Sequence, residues 1–143
     1  MAIVQRDAGV TIGELAHRVG MSPSSAQRRL QKLRDDKIIL RDVSVVDPNR
    51  MGPSLAMLVE IELERDRPAL LAPFQQWIAR TPEVQQAWCI TGRGDYTLVI
   101  MTGSIADFDR LTERMMEANP NIRKFTTSVV LKTLKRTLEI PIE

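Results

Sequence analysis

The chain has 143 residues, of which 43% are hydrophobic and 27% are charged, and its net charge is +2. This length accommodates one or two small domains with a buried core, whereas the lack of any run of about 18 apolar residues excludes a transmembrane helix. The single cysteine excludes an internal disulfide, and one cysteine with one histidine argues against a zinc site, so we expect a cytoplasmic protein with no metal and no cofactor.

The first part of the chain predicts two short helices. Thr11 and Glu14 are spaced as a capping box at the start of the first helix, and Gly20 is placed to end it in the left-handed conformation. Ser22 is then placed to cap the second helix, with Pro23 at its first position. Two helices joined by a short turn that contains glycine are typical of a helix-turn-helix.

The residues after the second helix predict a strand and then a linker. Residues 38–46 (IILRDVSVV) are rich in β-branched side chains and are consistent with a short strand or wing. Residues 47–53 (DPNRMGP) are rich in turn formers and predict a linker. We therefore predict a winged helix-turn-helix domain over residues 1–46 and a second domain over residues 54–143.

The second domain consists of two similar halves. The first half predicts a strand over residues 54–64, a helix, a Thr-Pro turn and a strand that ends near Thr91. The second half predicts a strand over residues 95–101, a helix capped by Ser104, an Asn-Pro turn and a last strand to about Lys132. In the first helix one apolar stripe contains Leu70, Phe74, Trp77 and Ile78, and in the second the residues expected to be buried are Ile105, Phe108, Leu111 and Met115. This βαββαβ order predicts a ferredoxin-like domain, and the fold class is α+β.

The sheet of this domain is apolar on both faces. Leu55, Met57, Val59, Ile61 and Leu63 alternate on one face of the first strand. On the opposite face lie Ala56, Leu58, Val99 and Met101, which no predicted helix covers. An exposed apolar sheet face usually marks an association surface, so we predict sheet-to-sheet dimerisation. The alternative is that the C-terminal segment TLEIPIE covers this face.

The second helix has the residue order expected of a recognition helix. Ala26, Leu30 and Leu33 fall within about 60° of one another on a helical wheel, and the opposite face is polar and basic. Residues 1–50 also carry 9 Lys and Arg against 6 Asp and Glu. Recognition helices enter the major groove with their N-terminal residues near base edges. The predicted DNA-binding residues are Ser22, Ser24, Ser25, Gln27, Arg28, Arg29 and Lys32.

These residues have separate predicted roles. Small serines allow close approach to the groove, while Gln27 and Arg28 have the forked geometry that pairs with adenine or guanine edges. Arg29 and Lys32 are assigned to phosphate contacts, which supply affinity and position. The alternative is an ordinary solvated helix face.

The order of these features resembles the Lrp/AsnC family of bacterial and archaeal transcription regulators. The segments that carry the resemblance are TIGELAHRVGMSPSSAQRRLQKL (Thr11–Leu33), VVDP (Val45–Pro48), the first sheet strand LVEIEL, and ITGRGDYTLVI (Ile90–Ile100). The resemblance covers nearly the whole chain. It implies a winged helix-turn-helix joined to a domain that senses an amino acid or a related metabolite.

The resemblance also implies a site and an assembly. Sheet-paired homodimers are expected to form higher oligomers, commonly octamers, with the effector at junctions between dimers. The expected effector-binding residues are Gly92, Arg93, Gly94, Asp95, Tyr96 and Thr127. Glycines permit close backbone approach, backbone N–H groups bind a carboxylate, and Asp95 is suited to accept from an α-ammonium group. The alternative is a tight turn in which the glycines serve geometry and Asp95 caps its own backbone.

The sequence departs from the family pattern at two places. Residues 1–7 (MAIVQRD) resemble only the C-terminal half of the leading helix, which should loosen the DNA-binding domain. Lys37 stands where a glycine usually follows the recognition helix, and a left-handed lysine there would cost about 1 kcal/mol.

The predicted function is a DNA-binding transcriptional regulator modulated by an amino-acid-like effector, and not an enzyme, since no catalytic cluster or cofactor loop is apparent. One alternative is a stand-alone effector-binding or assembly partner without DNA binding. Another is an enzyme on a dimeric ferredoxin-like fold. RNA binding ranks last, because the predicted middle strand offers only Tyr96 for stacking on bases.

Overall fold

The structure, a computed structural model, describes residues 1–64 and 68–142. The chain divides into two compact units. The first contains Met1–Val46 together with the C-terminal tail from Leu134 onward, and the second contains Asp47–Thr133. The sequence instead assigns residues 54–143 to the second domain, and that division stays a prediction. Glu143 lies outside the described residues.

The first unit contains the helix-turn-helix that the sequence predicts. Helix α1 spans Ile12–Val19 and helix α2 spans Pro23–Asp35. Gly20 ends α1 with φ of 66°, in the left-handed region that favours glycine. Ser22 caps α2 by accepting a hydrogen bond from the backbone N–H of Ser25 at 3.3 Å. The end of one helix and the start of the next are thus both specified locally.

Only half of the predicted capping box forms at α1. The Thr11 hydroxyl oxygen accepts a hydrogen bond from the backbone N–H of Glu14 at 3.2 Å. The Glu14 carboxylate pairs with Arg18, one turn further along α1. A Glu-to-cation pair at this spacing stabilises a helix modestly. It competes with the second hydrogen bond of a capping box, in which the Glu14 carboxylate would accept from the Thr11 backbone N–H.

A small apolar core holds these two helices together. Val4, Leu15 and Leu30 are 7%, 7% and 8% exposed and meet in one cluster. Val4 belongs to a helical turn within residues 1–7, where backbone N–H groups donate to carbonyls three or four residues earlier. One turn is marginal in water by itself, so the contact of Val4 with the cluster stabilises it.

The C-terminal tail binds this N-terminal turn. The Gln5 side chain donates from Nε2 to the Ile140 carbonyl at 2.9 Å and accepts from the Ile140 N–H at 3.3 Å. Arg6 Nε donates to a Glu139 carboxylate oxygen at 2.8 Å. The following Pro141 disfavours helix at Ile140, which leaves both backbone groups available to one side-chain amide. These contacts place residues 139 and 140 within the first unit.

The segment after α2 forms no strand in the structure. Residues 38–46 lack regular secondary structure and carry several exposed apolar side chains, of which Leu40 and Val45 are 85% and 83% exposed. A strand needs a neighbour to take its backbone hydrogen bonds. Within the described part of the chain, this segment pairs with no strand.

The second unit has the predicted βαββαβ order. After a short 3₁₀ turn at Pro48–Arg50, its elements are β1 (Leu55–Leu63), α3 (Pro68–Arg80), β2 (Val84–Cys89), β3 (Tyr96–Thr102), α4 (Ile105–Ala118) and β4 (Ile122–Val129). The strand order is β2-β3-β1-β4, and every neighbouring pair is antiparallel. No helix of the described residues is long and apolar enough to cross a membrane.

The core of this unit lies between one face of the sheet and the two helices. Its buried residues are Met57, Val59, Ile61, Phe74, Tyr96, Leu98, Ile100, Leu111, Met115 and Ile122. The prediction was wrong for Ile105, which is 67% exposed. Helical side chains lean toward the N-terminus, so the side chain of the first residue of α4 leans past the end of its own helix.

Part of the opposite face of the sheet is apolar and exposed. Leu58 is 42% exposed and Trp88 is 49% exposed. Ala56, Val99 and Met101 are half-buried and lie on the same face, because β1 pairs with β3 in register. Sheet-to-sheet dimerisation and coverage by the tail therefore both stay predictions.

Helix α2 ends in a left-handed lysine. Lys37 has φ of 54°, which is positive for a residue with a side chain. The N–H of Ile38 donates to the Leu33 carbonyl at 2.9 Å and that of Lys37 to the Arg34 carbonyl at 3.0 Å. This is the Schellman pattern, in which glycine is the preferred residue at the left-handed position.

Lys37→Gly is expected to stabilise the first unit by about 1 kcal/mol, because it removes the steric cost of the left-handed conformation. Urea denaturation followed by circular dichroism measures this change. Lys37→Ala is the matched control, since it removes the charge but keeps the Cβ. Equal stability of the glycine and alanine variants would contradict the explanation.

Candidate nucleic-acid interface and effector loop

One exposed face of α2 brings the predicted contact residues together. Six of the seven lie on α2, and the seventh, Ser22, is its N-cap. Ser25 is half-buried and the other six are exposed. A shallow depression along this face is lined by Ser24, Gln27, Arg28, Gln31, Lys32 and Asp35. Arg29 follows Arg28 and so lies about 100° around the helix, to one side of the depression.

The three serines at the start of α2 are hydrogen-bonded to one another. The Ser22 hydroxyl lies 3.2 Å from the Ser24 hydroxyl and donates to that of Ser25 at 3.0 Å. Its oxygen also accepts from the Ser25 backbone N–H. Ser22 is therefore first a structural cap, while the exposed Ser24 hydroxyl stands nearest the depression.

Two partners on α2 were missed from the sequence. The Gln31 amide donates to the Asp35 carboxylate at 2.8 Å, and Lys32 Nζ lies 3.0 Å from the Asp36 carboxylate. Both pairs are four residues apart, the spacing at which helical side chains meet. That spacing was visible in QKLRDD, so this signal was available. The basic and amide side chains in the second half of α2 are thus not isolated in the free protein.

The candidate effector loop is a closed turn between β2 and β3. The N–H of Ile90 donates to the Asp95 carbonyl at 2.9 Å. Gly92 has φ of 136°, which residues with side chains rarely adopt. A Cβ on Gly94 would lie 3.1 Å from the Ile61 carbonyl oxygen. The turn geometry therefore favours glycine at both positions without reference to a ligand.

Asp95 joins this loop to the neighbouring strand. Its carboxylate Oδ2 accepts from the backbone N–H of Leu63 at 2.7 Å, and its own N–H donates to the Ile61 carbonyl at 2.8 Å. The side chain is half-buried. One carboxylate oxygen thus caps the end of β1, rather than the backbone of Asp95 itself.

Tyr96 and Thr127 are placed apart from the exposed part of the loop. Tyr96 is 5% exposed, its ring meets Phe74 edge to face at 5.2 Å, and its hydroxyl accepts from Gln75 at 3.0 Å. Thr127 lies on β4, and β1 separates β4 from β3. Its buried hydroxyl oxygen has no hydrogen-bond partner among the described residues. Within one chain, the structure brings together residues 92–95 but not Thr127.

Comparison with known proteins matches both units in the same order. Residues 1–39 match the family described as winged helix-turn-helix DNA-binding. Residues 56–140 match the family described as the Lrp/AsnC ligand binding domain. An HTH-type transcriptional regulator of Sinorhizobium fredii is 36% identical over 140 residues, which cover 98% of this chain and 83% of that protein.

Two solved structures share this fold. An AsnC family transcriptional regulator from Agrobacterium tumefaciens superposes with a TM-score of 0.90 at 29% identity, covering 98% of this chain and 91% of that one. A transcriptional regulator from Neisseria meningitidis, in complex with L-methionine, gives a TM-score of 0.89 at 25% identity, covering 97% and 90%. The similarity extends across both units in each case.

Asp95→Ala is expected to lower the free energy of unfolding by about 1–3 kcal/mol, because it leaves the half-buried Leu63 N–H without its charged acceptor. Asp95→Asn is expected to cost much less, since its amide oxygen accepts the same hydrogen bond. Urea denaturation of the full chain compares the two. An alanine variant as stable as the asparagine variant would show that the bond contributes nothing.

Proposed function

Because the chain belongs to the Lrp/AsnC family of transcriptional regulators, we propose that it binds double-stranded DNA through α2 and that a small molecule bound by the second unit modulates this binding. The observation that carries the proposal is the two-sided character of α2. Ala26 and Leu30, 3% and 8% exposed, face the core, while the opposite face presents polar and basic side chains to solvent. A face of this kind is suited to a polyanion.

The contacts to DNA divide between bases and phosphates. Arg28 is exposed on the central depression, and its planar guanidinium matches the two acceptors of guanine in the major groove. Gln27 has the corresponding match to adenine. Arg29, to one side of the depression, is assigned to a phosphate, which positions the helix without reading sequence.

The effector is proposed to be an amino acid or a related metabolite. The Neisseria meningitidis relative binds L-methionine, so L-methionine is the first compound to test. Gly92 and Arg93 are exposed at the loop, where backbone N–H groups and a guanidinium suit a carboxylate. One oxygen of the Asp95 carboxylate accepts from the Leu63 N–H. Its other oxygen is the candidate acceptor for an α-ammonium group.

The assembly is proposed to be a homodimer formed through the exposed face of the sheet. Leu58 and Trp88 stand on this face with Val99 and Met101 between and beside them. Burying such a face stabilises a dimer by about 25 cal/mol for each Å² of apolar surface that is removed from water. Association of dimers into an octamer is the further assembly that the family resemblance implies.

The function is proposed to be regulation rather than catalysis, exerted on DNA in the cytoplasm. Fluorescence anisotropy with the DNA upstream of the protein's own gene tests this at two salt concentrations, with random DNA as the control. Tight binding with a large specificity ratio and a steep salt dependence is the expected result. Binding no better than to random DNA would favour a stand-alone effector-binding partner.

Arg28→Ala is expected to weaken binding to the specific site by about 1–3 kcal/mol and to relax one base position. Arg29→Ala is expected to weaken all sequences alike and to reduce the slope of log K against log salt by about 0.9. Salt titrations on specific and random duplexes measure both effects. The same loss from both variants on both duplexes would contradict the division of roles.

Leu58→Lys is expected to weaken dimerisation roughly ten- to a hundredfold, because each interface then buries two lysines in place of two leucines. Sedimentation velocity over a concentration series measures the change. Ile105→Lys is the matched control, since Ile105 is an equally aliphatic exposed side chain on α4. Equal effects of the two substitutions, or none from the first, would refute the sheet interface.

A further inference from the structure

The recognition helix ends in two carboxylates at an unfavourable place. Asp35 is the last residue of α2 and Asp36 is its C-cap. The carboxyl end of a helix carries a partial negative charge, so anions there are unfavourable and cations are preferred. A departure from such a local rule often marks a functional site.

Both carboxylates hold side chains that face the proposed DNA surface. Lys32 Nζ lies 3.0 Å from Asp36 Oδ2, and the two side chains are 74% and 44% exposed. Gln31 Nε2 donates to Asp35 Oδ1 at 2.8 Å. Asp35 itself lines the depression that contains Arg28 and Lys32. The acidic pair therefore sits beside the cation that is assigned to a phosphate.

The arginines of the same helix differ from Lys32. Arg28 and Arg29 have no carboxylate partner in the part of the chain that the structure describes. Arg34 does have one, Asp42 at 2.9 Å, but Arg34 lies away from the depression. On the contact face, Lys32 is therefore paired with a carboxylate, whereas Arg28, which is assigned to a base, is not.

We propose that Asp36 competes with DNA phosphate for Lys32, and that this competition lowers the affinity of α2 for DNA of any sequence. The inference rests on the proposed DNA-binding function. A phosphate that takes Lys32 leaves Asp36 unpaired beside a polyanion. Asp36 then takes up a cation, which cancels the counterion release that the phosphate contact would otherwise give.

The consequence is a lower occupancy of random DNA at an unchanged specificity ratio. Binding to random DNA depends on phosphate contacts alone, whereas binding to a specific site also draws on base contacts such as that of Arg28. Suppressing one phosphate contact lowers both affinities by the same factor. The ratio of specific to random affinity is therefore unchanged, while the protein occupies random DNA less.

Asp36→Asn in the full chain tests the proposal by salt titration on a random duplex. The expected change is an increase of about 0.9 in the magnitude of the slope of log K against log salt, and roughly fivefold tighter binding near 0.15 M salt. The double variant Asp36→Asn with Lys32→Ala is expected to return the slope to that of the wild type. Asp42→Asn, which frees Arg34 away from the depression, is expected to leave the slope unchanged.

Each outcome decides one question. A wild-type slope in Asp36→Asn would overturn the proposal, as would an increased slope that persists in the double variant, since the effect would then not act through Lys32. The same increase in Asp42→Asn would also overturn it, because any lost carboxylate would suffice. If neither wild type nor Asp36→Asn binds any duplex, the DNA-binding function itself fails.

Discussion

The meeting of Val4, Leu15 and Leu30 is the contact on which the orientation of the recognition helix depends. These side chains come from three separate segments, and each is at most 8% exposed. A helix fixed on one face by so few apolar groups is sensitive to the loss of any of them. The N-terminal turn contributes one of the three, and it is bound in turn by the tail through Gln5 and Ile140. The geometry of α2 therefore depends on residues at both ends of the chain.

The second unit depends on a different constraint, the alternation of β1 between a buried apolar face and a partly apolar exposed face. Met57, Val59 and Ile61 are at most 1% exposed beneath the helices, while Leu58 on the opposite face is 42% exposed. The central position of β1 fixes the register of β3 and β4 against it. A shift by one residue would exchange the two faces, so the core and the proposed association surface are specified by the same pairing.

The features that could be predicted from the sequence are those set by interactions between residues close together in the chain. The ends of both helices, set by Thr11, Gly20 and Ser22, and even the left-handed conformation of Lys37, depend on neighbours a few residues away. The alternation of apolar residues along the strands is equally local, and it predicted the buried face of the sheet correctly. The tail contacts join residues that are 133 or 135 positions apart, and no periodic pattern signals them. The same limit applies to Asp95, whose acceptor role toward Leu63 depends on the pairing of β1 with β3.

The loop around Asp95 shows why a family motif does not by itself identify a binding site. Gly92 is explained by its backbone angle and Gly94 by the nearby Ile61 carbonyl, so neither glycine requires a ligand to account for it. The Tyr96 ring is core, and its hydroxyl is satisfied by Gln75. These residues are therefore accounted for by the fold alone. An effector would therefore be recognised by groups that the turn does not use, which are the Arg93 side chain, the exposed backbone beside it and the second oxygen of Asp95. A ligand that binds there must also interact differently with two states of the protein before it can regulate anything. The hydrogen bond of Asp95 to β1 is one contact that such a ligand would have to share or replace.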